Sequence, residues 1–246
     1  MPPKASPDDQ ALLLDLQSID TRLQQLAHKA GSLPELATIA SLSAEAESVR
    51  LQLVTDGGAL EDAAAELKRV ESDVELVETR IARDVERLHA TSSVKDVAGL
   101  EAELASLRKR QSDLEDIQLT VMERIEELEA AARATTARRD EILAQLAGVE
   151  ADRDAALAAL DGERGNANAN RATIVGRLPA DLLALYERQR ARYGTGASLL
   201  RGGVSSASGV KLNESDMAAI RAAAPDDVVL CPDSNAILVR TSESGL

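Results

Sequence analysis

The sequence predicts a mainly α protein: a long antiparallel coiled-coil hairpin followed by a small α+β module at its C-terminal side. Three observations carry this. From Val97 to Leu160 an apolar seam advances in alternating steps of three and four residues, and fourteen of its nineteen positions are apolar. That mean spacing of about 3.5 residues is the heptad signature of a coiled coil. A matching series runs from Ile39 to Ile81, and a short polar break, His89-Ala-Thr-Ser-Ser93, separates the two. After about residue 170 the heptads stop and glycines cluster.

Composition agrees with long helices. The 246 residues contain no Trp, no Phe and two Tyr, so a large aromatic core is excluded. The single cysteine, Cys231, rules out an intramolecular disulfide. No signal peptide and no run of 18 apolar residues is visible, and the simplest class is a cytoplasmic protein. The formal net charge of −14 is unevenly spread. Residues 1–170 carry 19 basic and 34 acidic side chains, whereas residues 171–212 carry seven basic and two acidic. The last stretch, 213–246, returns to a balance of −4. Any nucleic-acid contact is therefore expected in the basic segment, since the acidic remainder repels phosphate.

Taken in order, the first helix is expected near Asp8, with Leu12, Leu16, Ile19, Leu23, Leu26 and Ala30 on one face. Gly31, Ser32 and Pro34 break it, and Pro34 suits the opening of the next helix. The second helix carries the Ile39–Ile81 seam. Asp56 falls on that seam before Gly57 and Gly58, where a kink is expected because each mid-helix glycine costs about 1 kcal/mol against alanine. Ser92 or Ser93 is a plausible N-cap for the third helix. Residues 8–88 and 95–175 then form two arms of about 80 residues, each on the order of 120 Å long. A short connection between such arms gives an antiparallel hairpin, with its tip near 89–96. Facing residue numbers should sum to about 181 or 188. Gln111, Gln118, Arg139 and Arg153 interrupt the seam and are read as setting register rather than as binding sites.

Residues 176–246 read as a separate small module after the hairpin of 1–175. An amphipathic helix spans Asp181 to Arg192, and a second runs from Asn213, its N-cap, to Ala223. Val228 to Arg240 alternates as a β-hairpin.

The segment Leu-Pro-Ala-Asp-Leu-Leu-Ala-Leu-Tyr-Glu-Arg, residues 178–188, and the closing Cys-Pro-Asp-Ser-Asn-Ala-Ile-Leu, residues 231–238, carry a family likeness. On them the chain resembles the bacterial coiled-coil hairpin proteins that end in a C4-type zinc ribbon. The resemblance covers nearly the whole chain and implies two Cys-x-x-Cys knuckles. Ser205 and Ser208, then Cys231 and Ser234, stand at those positions, so three of four ligands are replaced. Serine hydroxyls are protonated near neutral pH and are poor zinc ligands, and His28 and His89 lie far away in sequence. The expectation is a degenerate, zinc-binding-like ribbon without bound zinc and without any other cofactor. Packing of Leu199, Leu200, Val210, Leu212, Ile220, Val228, Leu230, Ile237 and Val239 should replace the metal. Cys231 is expected to be a buried remnant.

No Gly-rich phosphate loop, metal cluster or paired nucleophile and base is present, so the chain is not read as an enzyme. Its favoured function is a non-catalytic adaptor, scaffold or chaperone-like regulator that presents the module on a rigid stalk to protein partners. The alternative is RNA or DNA binding by Arg177, Tyr186, Arg188, Arg190, Arg192, Tyr193, Arg201 and Lys211, a basic set containing both tyrosines. Neither a membrane nor a small-molecule substrate is expected.

Overall fold

The protein is described by a computed structural model covering residues 3–246. Five α-helices and three short strands follow in the order α1 (Pro7–Gly31), α2 (Pro34–Ala90), α3 (Val94–Val175), α4 (Ala180–Tyr193), β1 (Ala197–Arg201), β2 (Val204–Ser205), α5 (Glu214–Ala222) and β3 (Ile237–Val239). A single 3-10 turn, Ser242–Ser244, closes the chain. Two compact units result: Glu35–Ala151, and the start of the chain up to Pro34 together with Asp152–Leu246.

The first of these, the hairpin unit, is built from α2 and α3. All nineteen seam positions from Val97 to Leu160 are buried or half-buried in the folded chain, and so are all those of the Ile39–Ile81 series. Amphipathic packing along one stripe is what stabilises helices of this length, since intrinsic propensity alone is marginal. The connection is tight: only residues 91–93 leave the helix. Ser93 accepts the Val97 N–H at 3.0 Å, which places it at the start of α3.

Polar seam residues pair across the arms. The Thr135 hydroxyl donates to Asp56 Oδ2 at 2.8 Å, and Gln111 Nε2 donates to Glu78 Oε1 at 3.1 Å. Arg124 also pairs with Glu66. The residue numbers of these pairs sum to 189–191, whereas Arg80–Glu103 and Arg138–Glu45 sum to 183, so the paired side chains fall on both sides of the seam and bracket the larger expected sum of about 188. Arg139 and Arg153, by contrast, pair with their own neighbours Asp140 and Asp154. The helix α2 runs unbroken through Gly57 and Gly58, where a kink or loosening was expected. Asp56, bonded to Gln52 at 2.7 Å and to Thr135 across the arms, ties that stretch of α2 to α3.

The second unit, here the terminal unit, joins both ends of the chain. Its sheet has the order β2-β1-β3, with β1 antiparallel to β2 and parallel to β3. The parallel pairing brings Ala197 beside Ile237 and Leu199 beside Val239. The expected hairpin at Val228–Arg240 forms only partly. Leu230 faces Ile237 across an isolated antiparallel bridge, and only Ile237–Val239 is regular strand. The start of the chain adds a further edge, because Lys4 bridges Asp227 and the Ala5 N–H donates to the Asp226 carbonyl at 2.9 Å.

Two apolar clusters fill this unit. One joins Leu13 and Leu16 of α1 to Leu182, Leu185 and Tyr186 of α4 and to Ile237 and Val239. The other packs Leu200, Leu212, Met217, Ile220 and Leu238 around Cys231. Of the residues expected to stand in for a metal, Leu200, Leu212, Ile220, Val228, Ile237 and Val239 are buried, and Leu199 and Leu230 are half-buried. Val210 is the correction: at 52% exposure it lies on the surface, because the backbone turn at Gly209 (φ +65) carries it outward.

Candidate functional site

Two six-residue turns in the terminal unit share one backbone pattern. In the first, the Gly209 N–H donates to the Ser205 carbonyl at 2.8 Å and the Ser205 N–H donates to the Val210 carbonyl at 3.3 Å. In the second, Asn235 donates to Cys231 at 2.9 Å and Cys231 donates to Ala236 at 2.8 Å. The fifth residue of each is left-handed: Gly209 at φ +65, and Asn235 at φ +57, the one non-glycine of positive φ among the described residues. The first and fourth positions of these turns are Ser205 and Ser208, and Cys231 and Ser234.

The side chains present do not suit zinc. Cys231 supplies one thiol, and no group of three or more His, Cys, Asp or Glu that could hold a metal occurs among the described residues. Ser205 is fully buried and its hydroxyl lies 3.0 Å from that of Ser198. Burial pushes the Cys231 thiol up. Hydrogen bonds from the Ser234 hydroxyl and N–H, the Ser205 hydroxyl and the Asp233 N–H outweigh it, and the thiol titrates below its ordinary value. Two of the other three knuckle positions, Ser205 and Ser234, thus face the one sulfur, which packs in an apolar cluster.

The basic set divides into two groups. Tyr186 and Arg190 belong to the interior. Tyr186 is fully buried and its hydroxyl donates to Asp20 Oδ2 at 2.7 Å. Asp20, also buried, accepts from Arg171 Nε at 2.7 Å and lies 3.0 Å from Arg190 Nη1. Glu187 closes the network on Arg171 and Arg190. Tyr186 is closed to a base, and the half-buried Arg190 guanidinium is committed to Asp20 and Glu187. The hydrogen bond that Arg171 donates to Asp20 is the largest influence holding the guanidinium above its usual range.

This network explains the local sequence. Gln17, one turn before Asp20 on α1, accepts the Gly196 N–H at 2.7 Å. A Cβ at Gly196 would lie 2.5 Å from the Tyr186 ring, so only glycine lets β1 start against that ring. Asp20 and Gln17 carried no sequence signal as site residues, because they occupy an ordinary polar position beside an apolar stripe.

Desolvation, then the hydrogen bond to the Asp20 carboxylate, raise the Tyr186 phenol far above its ordinary value of 10.0. The folded state therefore holds this proton more tightly than the unfolded chain does. Above about pH 10 the unfolded chain loses it first, so stability is full below that pH and falls as pH rises. Alkaline titration followed by far-ultraviolet circular dichroism is expected to show this loss, and Tyr186→Phe is expected to flatten it. An identical alkaline profile in Tyr186→Phe would refute the assignment.

Arg177, Arg188, Arg192, Tyr193, Arg201 and Lys211 are exposed. Arg201 pairs with Glu243 at 3.3 Å. Arg188 and Arg192, one helical turn apart on α4, have no ion pair among the described residues, and the Arg192 guanidinium lies 5.2 Å from the Tyr193 ring centroid. No helix of the described chain is long and apolar enough to cross a membrane.

Other proteins share this arrangement of helices. Two Mycobacterium tuberculosis proteins, from strains CDC 1551 / Oshkosh and ATCC 25618 / H37Rv, are each 37% identical over 238 residues, covering 96% of this chain and 97% of theirs. A solved structure from Mycobacterium smegmatis is 38% identical, with a TM-score of 0.87 over 96% of this chain and 100% of that one. CT398 from Chlamydia trachomatis is 15% identical with a TM-score of 0.69 over 95% and 98% of the two chains, a likeness of fold alone. Residues 16–194, which take in most of α1, all of α2 and α3, and α4, match the description of one domain family. The chain belongs to the family of the CT398-like coiled coil hairpin domain.

Proposed function

We propose that this protein is a non-catalytic adaptor that binds an acidic protein partner through the outer face of α4. One observation carries the reading: Arg188, Arg192 and Tyr193 are exposed and without acidic partners, while the inner face of the same helix is anchored by Leu182, Tyr186 and the Asp20 network. A rigid helix with an unneutralised outer face is suited to recognition, because little ordering entropy is lost on binding. The titratable groups of the network are already committed to one another, which supports a structural rather than catalytic role. Serine at three of the four knuckle positions likewise supports a ribbon-like module held by packing rather than by zinc.

The exposed Arg192–Tyr193 pair favours a second reading, single-stranded nucleic acid stacked on the ring. A photo-crosslinking side chain at the exposed Ala191, introduced into the full chain in its native cell, separates the two. A protein adduct that falls about tenfold in the Arg188→Glu, Arg192→Glu double variant is expected. An RNA or DNA adduct transfers the face to the second reading, and no adduct of either kind sinks both.

A further inference from the structure

The seam of α2 does not end at Ile81. The same three- and four-residue steps continue to Asp84 and Leu88, so a carboxylate occupies a core position of the hairpin. Its side chain is 0% exposed. Oδ1 accepts from Arg87 Nη1 at 3.1 Å, with Arg83 Nε 3.9 Å away, and both arginines extend from the same helix into solvent. Oδ2 is buried and has no hydrogen-bond partner. In the register of the Glu78–Gln111 pair, the buried residues opposite this stretch are Leu100 and Leu104, which offer no donor. Beyond Asp84 the seam contains only Leu88 and Val97, both half-buried, before the turn, and Val94 is 85% exposed.

A buried carboxylate oxygen without a donor is among the costlier features a core can hold, and water satisfies it at once if the arms separate. Near the middle of the hairpin, where Ala63, Val70, Leu114 and Val121 fill the seam, separation exposes apolar surface and gains nothing in return. Opening is therefore cheapest at the turn. We infer that Asp84 is a built-in opening point, so that the arms between Ile81 and Leu104 part and rejoin locally while the rest of the hairpin stays closed. Opening uncovers Leu100 and Leu104, turning the end of the hairpin into a transient apolar surface. The inference does not depend on the adaptor reading.

Hydrogen exchange of the full chain, followed by mass spectrometry at peptide resolution, tests it. Amides of residues 81–104 are expected to exchange about a hundredfold faster than those of residues 60–75 and 113–128. Asp84→Leu is expected to slow exchange across 81–104 by about tenfold or more and to leave the other segments unchanged. Asp84→Asn, which keeps the shape and a polar group, is expected to fall between wild type and Asp84→Leu. Uniform protection along the wild-type hairpin overturns the inference whatever the variants do. So does an Asp84→Leu protein whose 81–104 segment exchanges as fast as wild type, or faster.

Discussion

Asp20→Ala is expected to destabilise the terminal unit by about 3–5 kcal/mol, the cost typical of removing one partner from a buried ionic network. The reason lies in what remains. Arg171 and Arg190, with side chains 22% and 30% exposed, lose the carboxylate between them, and the buried Tyr186 hydroxyl loses its acceptor at 2.7 Å. Glu187 stays paired with both arginines, which limits the loss. In thermal unfolding this corresponds to a fall in midpoint on the order of 10 °C. Asp20→Asn preserves shape and can still accept from Tyr186, so its fall should be smaller. A change within about 1 °C for Asp20→Ala would mean that the network is ornamental to stability.

Converting Ser205, Ser208 and Ser234 to cysteine is expected to create a zinc site of one ion per chain, while the wild type carries none. Both turns hold the same backbone hydrogen-bond pattern, and Cys231 already faces Ser205 and Ser234. What the wild type lacks is thiolate: hydroxyls do not deprotonate for a metal as thiols do. Four thiolates bind structural zinc with an apparent free energy of about 10 kcal/mol or more at neutral pH, which would appear as a chelator-sensitive rise in unfolding temperature. Elemental analysis of chelator-free protein is the direct measurement. Stoichiometric zinc in the wild type would overturn the reading of the hydroxyl positions, and none in the triple variant would show that the four positions do not converge.

The hairpin was legible because a coiled-coil seam is a one-dimensional pattern: the step of three and four residues states which face is covered, and every such position is covered. The same pattern was legible at Asp84, where the seam keeps its step but changes chemistry, and ending the series at Ile81 concealed it. The terminal unit was less legible for a physical reason. Periodicity identifies a face but not its partner, so Leu16 looked like an ordinary coil residue and Leu13 fell outside the expected stripe, although both pack with α4 and β3. Arg190 read as a surface group because its neutralising partner, Asp20, lies 170 residues away in the chain. The parallel pairing of β1 with β3 likewise joins segments about 40 residues apart, which no local propensity encodes.

The pairing of Lys4 with Asp226, 222 residues apart, bears on how the molecule is made. On a ribosome the first helix emerges long before α4 and β3 exist to cover Leu13 and Leu16, so its apolar face must wait through the synthesis of nearly the whole chain. The hairpin unit is complete much earlier, once residue 151 is out, and its contacts are local by comparison. Nascent chains stalled before Ile237 should therefore expose the first helix to proteases and chaperones while the hairpin is already resistant. The terminal unit closes only once β3 has emerged, and loss of β3 uncovers the first helix with it.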